Sequence, residues 1–356
     1  MDFTFDKIRR ICEELAQEKE QAYGYIDGFV YAPCAYKGSK DAVPEGEFVP
    51  FEKGSRMIGR DSHFLLKNHV KTPKEVTGKR LFFRVTTGYE GGWDAKNPQC
   101  LVYVNGHIVQ GLDVNHRTIP LEYDTEYDLE IYFYVGMITT YTDFIPEWLL
   151  VDTAIEKLYY DIHVPLEAAG CLDREDSNYI LTMKYLNEAV KRLNLMDPYS
   201  ESFYESISEA DRYLLEEYYG KICGKSEAVV SCIGHTHIDV AWLWTVAQTR
   251  EKAQRSFSTV LSLMEQYPEY KFMSSQPQLY EFVKEDAPEV YERLKQAVKE
   301  KRWEPEGAMW LEADCNLTSG ESLVRQILYG KRFMKEEFGA DNKSVWLPDV
   351  FGYSAA

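Results

Sequence analysis

Residues 234–239 read Gly-His-Thr-His-Ile-Asp, directly after the short apolar run AVVSCI at 228–233. Imidazole and carboxylate groups are the donors that hold Zn²⁺ and related divalent ions. His235, His237 and Asp239 therefore offer three candidate ligands within five residues. The apolar run has strand length and reads as a buried strand, with Gly234 letting the backbone turn at its end. The ligands then sit just beyond the carboxyl end of a strand, where open α/β folds place their chemistry. A lone H-x-D triplet also has a plainer account, in which Asp239 caps the next helix and the histidines are hydrogen-bonded turn residues.

A second segment favours the metal. Residues 343–356 read KSVWLPDVFGYSAA, and Val345 to Leu347 again look like a buried strand. It ends on Pro348-Asp349, so Asp349 also occupies a loop after a strand. Two such loops can converge on a single ion across a parallel sheet.

The elements that must position these residues alternate from 228 onward. Strand 228–233 precedes helix 246–266, and strand 270–274 precedes helix 279–300. A short strand at 303–306 precedes helix 320–338, capped by Ser319 or Thr318, and strand 343–347 ends the series. Alternating βα units imply a parallel sheet with right-handed crossovers. Closure into a barrel needs about eight strands. The region thus reads as the first four βα units of a β/α barrel-like domain, and the chain as the N-terminal part of a longer enzyme.

Upstream the pattern changes. Phe5, Ile8, Ile11 and Leu15 lie at helical spacing within 5–19. From about 25 to 165 the signals are β. RLFFRVTT (80–87) and CLVYV (100–104) are strand-like, Asn105-Gly106 is a hairpin signal, and Leu129–Val135 reads as a half-buried strand. This fits a β-sandwich of jelly-roll type. Residues 178–195 and 209–222 are helical, broken by Asp197-Pro198. The expected division is an N-terminal helix (1–24), a β-sandwich (25–170), a helical connector (171–224) and the catalytic region (225–356). Gly91-Gly92-Trp93-Asp94 reads as a loop whose Trp caps the sandwich edge, in preference to a sugar-stacking loop.

Composition bounds the rest. The chain has 356 residues, 45% hydrophobic and 14% aromatic, which describes packed globular domains. The net charge of −18 argues against a nucleic-acid surface. The 26 tyrosines suit sugar platforms, although ordinary core and surface roles account for most of them. None of the seven cysteines forms a C-x-x-C pair, and the odd count fits reduced thiols, with Cys232 a small core residue of the first strand. No apolar signal segment opens the chain, and no stretch approaches the roughly 20 apolar residues that span a bilayer. These features predict a cytoplasmic protein with no membrane partner. A homo-oligomer is compatible with them.

Three segments, GHTHIDVAWLW (234–244), PEGAMWLEADCNLTSGESLVRQ (305–326) and WLPDVFGYSAA (346–356), together resemble the glycoside hydrolase family 38 α-mannosidases. The similarity is greatest to the branch that holds cytosolic, vacuolar and many bacterial members. It covers 228–356 and, more loosely, the β-rich region before it. The resemblance implies retaining hydrolysis of terminal α-linked mannose through a metal-assisted covalent glycosyl-enzyme intermediate. The implied substrate is a mannose-containing oligosaccharide or other α-mannoside. It implies Asp349 as both nucleophile and metal ligand, His237 and Asp239 as further ligands, and Zn²⁺ or another divalent ion as cofactor. Trp242 and Phe351 match positions that flank the sugar. Asp314 either bonds a sugar hydroxyl or holds its loop, and His235 matches no ligand and is expected to be structural. A further histidine ligand and the acid/base carboxylate are implied downstream of residue 356, so these 356 residues alone are expected to be inactive.

Two other readings have specific content. Metal-dependent amidohydrolases also carry H-x-H after a first barrel strand, but need a lysine at the end of the fourth, where Asp349 stands here. A non-catalytic carbohydrate-binding protein would fit a degenerate half-barrel, against which the intact His237, Asp239 and Asp349 argue.

Overall fold

The structure is a computed structural model that describes residues 3–36, 42–92, 98–138, 141–224 and 229–354. Trp93 and Asp94 of the predicted loop lie outside the described residues. Helix α1 (Phe3–Glu18) buries Ile8, Cys12 and Leu15, as its spacing predicts. The strands that follow are β1 (Glu20–Tyr25), β2 (Val30–Cys34), β3 (Val49–Pro50), β4 (Arg56–Ile58), β5 (His63–Lys71) and β6 (Lys79–Thr86). Then come β7 (Gln99–Val104), β8 (His107–Leu112), β9 (Thr118–Pro120), β10 (Glu126–Tyr134), β11 (Tyr141–Asp143) and β12 (Ile145–Asp152).

These strands form two antiparallel sheets that face one another, ordered β3-β2-β5-β10-β7-β8 and β1-β12-β6-β9, with β4 and β11 paired apart. Leu66, Val102 and Phe133 of the larger sheet share a core with Phe83, Ile119 and Leu150 of the smaller. The β7–β8 hairpin turns at Asn105-Gly106, both with positive φ (52° and 82°), the conformation that favours this pair. Residues 129–135 were expected to be half-buried. Instead both faces of the larger sheet are covered, Ile131 and Phe133 by the sandwich core and Tyr132 by the region beyond. Their unbroken apolar run is the mark of that double burial.

The β pattern expected to run to 165 ends at 152. Helix α2 (Thr153–Gly170) starts there because Asp152 accepts hydrogen bonds from the amides of Ala154 and Ile155 at 3.1 Å each. With α3 (Ser177–Val190), α4 (Glu201–Tyr213) and a π-helical turn (Leu214–Tyr219), it packs on α1 through Leu15, Leu158, Leu186 and Phe203.

The last region is α/β but smaller than expected. Its strands β13 (Gly234–His235), β14 (Phe272–Ser274) and β15 (Trp303–Pro305) form a parallel sheet in that order. Two predicted strands are absent. Residues 229–233 lie outside any sheet, with Val229 91% exposed, and Cys232 is exposed, not core. Residues 343–347 likewise form no strand; the Ser344 carbonyl accepts the amide of Ala308 at 3.0 Å. Both apolar runs lack a neighbouring strand on their outer side, so neither has the ladder that burial of a strand requires. Among the described residues there is no closed barrel.

Helix α5 (Val246–Gln266) matches its predicted bounds. Helix 279–300 is two helices, α6 (Pro277–Asp286) and α7 (Pro288–Lys299), because Pro288 cannot continue the helical ladder. Helix α8 (Gly320–Phe338) is capped by Ser319, whose hydroxyl accepts the Ser322 amide at 3.2 Å. Phe257 of α5, Tyr280 of α6 and Trp303 of β15 interlock, and the indole of Trp303 donates to the Tyr280 hydroxyl at 2.9 Å.

Helix α5 lies flat on the outer face of the larger sheet. Gly111 of β8 admits it: a Cβ there would stand 2.6 Å from the Cβ of Arg255 and 3.0 Å from its Cα. Gly111→Ala should therefore force helix and sheet apart and lower stability by about 1–3 kcal/mol, read as a fall in the thermal unfolding midpoint.

Candidate metal centre

The ligand loop leaves β13 and is pinned from below by α5. Thr249, fully buried in the first turns of that helix, accepts the amide of Ala241 at 3.0 Å and the indole N–H of Trp244 at 3.1 Å. The same indole reaches the carbonyl of Asp239 at 3.2 Å. Ala241 takes a left-handed φ of 68° to close the turn, and Ile238, between the two candidate ligands, is buried. Gly234 has a role other than the expected turn. Its Cβ would stand 2.3 Å from the Tyr270 hydroxyl, so glycine is needed there for close approach.

His237, Asp239 and Asp349 each offer one ligand atom, and these atoms all lie within 4.8 Å of one another. His237 Nε2 is 3.1 Å from Asp239 Oδ1. Ligands around one divalent ion at about 2.1 Å stand roughly 3–4 Å apart, so a small closure of the Asp349 loop suffices. The loop carrying Asp349 is tied to its neighbour by the Cys315 amide, which donates to the Gly352 carbonyl at 3.0 Å.

The other predicted residues fall nearby in distinct roles. His235 is outside the cluster: the indole N–H of Trp346 donates to its Nε2 at 3.2 Å, occupying the lone pair a metal would need. Burial and the neighbouring His237 both push its pKa down. That geometry disfavours a two-histidine H-x-H centre. Asp314 holds its own loop, accepting the Asn316 amide at 2.8 Å through its side chain. Trp242 and Phe351 are 58% and 39% exposed, the Trp242 ring standing edge-on to Trp244 at 5.4 Å.

Two residues escaped the sequence reading. The side chain of Glu312 is buried, with Oε1 at 3.2 Å from His237 Nδ1. It raises the pKa of that imidazole to about 9, aided by Asp239. Gln276, also buried, joins the two loops: its Nε2 donates to the Ile238 carbonyl at 2.9 Å, and its Oε1 accepts the Glu312 amide at 3.3 Å. It takes a left-handed φ of 63° directly before Pro277. Glu312 was within reach, since it stands in the 305–326 segment, but no spacing marks Gln276.

Residues 227–356 match the Glycosyl hydrolases family 38 N-terminal domain. This part of the chain is therefore similar to the glycosyl hydrolases of family 38. Alpha-mannosidase G of Dictyostelium discoideum is 43% identical, over 99% of this chain and 34% of that protein. Alpha-mannosidase 2C1 of Mus musculus is 38% identical over 56% of this chain and 19% of its own length. An alpha-mannosidase of Saccharomyces cerevisiae is 39% identical over 57% and 19%. The chain thus spans about a third of the first of these relatives. The matched segment contains the whole candidate centre, His237, Asp239, Glu312 and Asp349 included.

Gly352 holds the Asp349 loop in place. It has φ +66°, and a Cβ there would lie 2.8 Å from Asp314 Cα. Gly352→Ala should part the two loops. Amide hydrogen exchange at Cys315 is expected to quicken about tenfold, the factor equivalent to about 1.4 kcal/mol, with exchange in α5 unchanged.

Proposed function

We propose that the full-length protein is a retaining α-mannosidase acting on terminal α-linked mannose in oligosaccharides or other α-mannosides. The observation that carries this reading is the convergence of His237, Asp239 and Asp349 within 4.8 Å, inside a segment of family 38. The names of the relatives, alpha-mannosidases all, support the substrate. In this reading the antiparallel sheets are of jelly-roll type and the parallel sheet is the opening part of a β/α barrel. The chain then divides into an N-terminal helix, a β-sandwich that ends at Asp152, a helical connector that takes in α2, and the catalytic region 225–356.

Retaining hydrolysis needs a carboxylate nucleophile and a second carboxyl group that protonates the leaving oxygen. Asp349 is the nucleophile. Its carboxylate attacks the anomeric carbon as the glycosidic bond breaks, giving a glycosyl ester, and water then displaces it with a second inversion. The protonating carboxyl group and a further histidine ligand are expected outside these 356 residues. One imidazole and two carboxylates fit Zn²⁺ or another divalent ion. When bound, such an ion supplies Lewis-acid contacts to the cis 2- and 3-hydroxyls that set mannose apart from glucose. Trp242 and Phe351 present ring faces to the C–H surface of the sugar and exclude water from it. No helix among the described residues is long and apolar enough to cross a membrane. The seven unpaired thiols support a reducing compartment, the cytoplasm.

NMR of the first-formed sugar, before mutarotation, should show α-mannose, and a β product would exclude retention. In the full-length protein, Asp349→Ala should cut turnover by on the order of 10⁴-fold or more and weaken metal retention with it. Lost turnover with unchanged metal affinity would remove Asp349 from the ligand set.

A further inference from the structure

The carboxylate of Glu312 is set behind the candidate centre. Its side chain is 5% exposed, both oxygens are buried, and apart from the His237 ring neither meets a hydrogen-bond partner among the described residues. A buried carboxylate is costly unless hydrogen-bonded, and this one depends on a single partner. The chain holds it there firmly nonetheless. The Glu312 amide donates to Gln276 Oε1 and the adjoining Leu311 amide to Gln326 Oε1 at 2.9 Å, while Trp310 is fixed by the Gln326 carbonyl at 3.0 Å. The side chain is aimed at a single group, Nδ1 of His237, whose other nitrogen faces Asp239 and the ligand cluster.

We infer that Glu312 is the positioning residue of the centre: it accepts the Nδ1–H of His237 and so fixes the ring with its Nε2 lone pair turned toward the ion. The inference rests on the metal-centre reading and goes beyond it, since Glu312 touches neither ion nor substrate. A carboxylate behind a ligating imidazole sets the tautomer, locks the ring plane and makes the ring a better donor; losing such a partner typically costs 10–100-fold in metal affinity.

Metal affinity and folding can be read separately. Zn²⁺ affinity is measured on the full-length protein by competition with a chromophoric chelator, and the metal-free protein is melted in parallel. Glu312→Gln keeps an acceptor for Nδ1–H but removes the charge, and affinity should fall about tenfold; Glu312→Leu removes both, and it should fall about 100-fold. The visible spectrum of the Co²⁺-loaded protein should change in both variants, reporting a reoriented imidazole, whatever the metal-free melting point does. Glu312→Gln is nearly isosteric and carries the test should the leucine variant not fold. A lower melting point with Zn²⁺ affinity within twofold of wild type would make Glu312 a purely structural residue and overturn the inference. His237→Ala serves as the reference. If it loses metal while both Glu312 variants keep it, only the role of Glu312 falls. If the wild-type protein holds no Zn²⁺, the metal-centre reading and this inference fall together.

Discussion

One helix buried against two sheets supports everything around the candidate centre. Ala253, Phe257, Val260 and Leu261 of α5 belong to a core that also takes in Leu65, Leu101 and Tyr132 from the outer face of the sandwich. The same core contains Phe272 and Trp303 of the parallel sheet. A helix of 21 residues held on two sides cannot shift without opening both contacts, since packed interiors resist even small volume changes. Thr249 sits in the first turns of that helix and grips the ligand loop through three groups. Polar contacts reinforce the joint: Tyr132 donates to Glu251 at 2.7 Å, and Ser262 donates to Gln110 at 2.8 Å. The β-sandwich, which carries none of the candidate chemistry, is thus the bed on which the ligand loop is set.

The charge at the centre is uneven by design of the chain. Asp239, Asp349 and Glu312 gather around a single imidazole, and among the described residues no Lys or Arg pairs with any of the three. Elsewhere the molecule pairs its acids readily, as Arg250 does with Glu285 and Asp286. Three carboxylates around one imidazole leave an excess of negative charge, and a divalent cation is the simplest group that offsets it. Glu312 and Asp239 together raise the pKa of His237 for the same reason.

Much of this was legible in the sequence where local rules act alone. Helices α1, α5 and α8 followed from 3.6-residue spacing and caps, and the β7–β8 hairpin from Asn-Gly. The three clustered ligands followed from their place after apolar runs, although the runs themselves did not become strands. That error has one cause: an apolar run reports a tendency to be buried, whereas a strand also needs a neighbour to hydrogen-bond, and 229–233 and 343–347 have none on their outer side. Pro288 was overlooked inside an otherwise periodic stretch, and α2 was hidden by the β-branched and aromatic residues around it. Gln276 was beyond reach, because its role depends on two loops brought together by the sheet and on a left-handed backbone that no pattern before a proline suggests.

Gln276 carries a final consequence. Its side chain gives a proton to one loop and takes one from the other, so the site depends on the handedness of an amide, not on its size. A carboxylate of the same shape has no hydrogen for the Ile238 carbonyl and would set oxygen against oxygen. Hydrolysis of that one amide to the acid, a slow chemical ageing reaction that changes the mass by a single unit, would add a fourth negative charge behind the centre and unfasten the two loops. The oldest molecules in a population would then differ from the youngest at the joint between ligand loop and supporting loop, with every other contact of the fold intact.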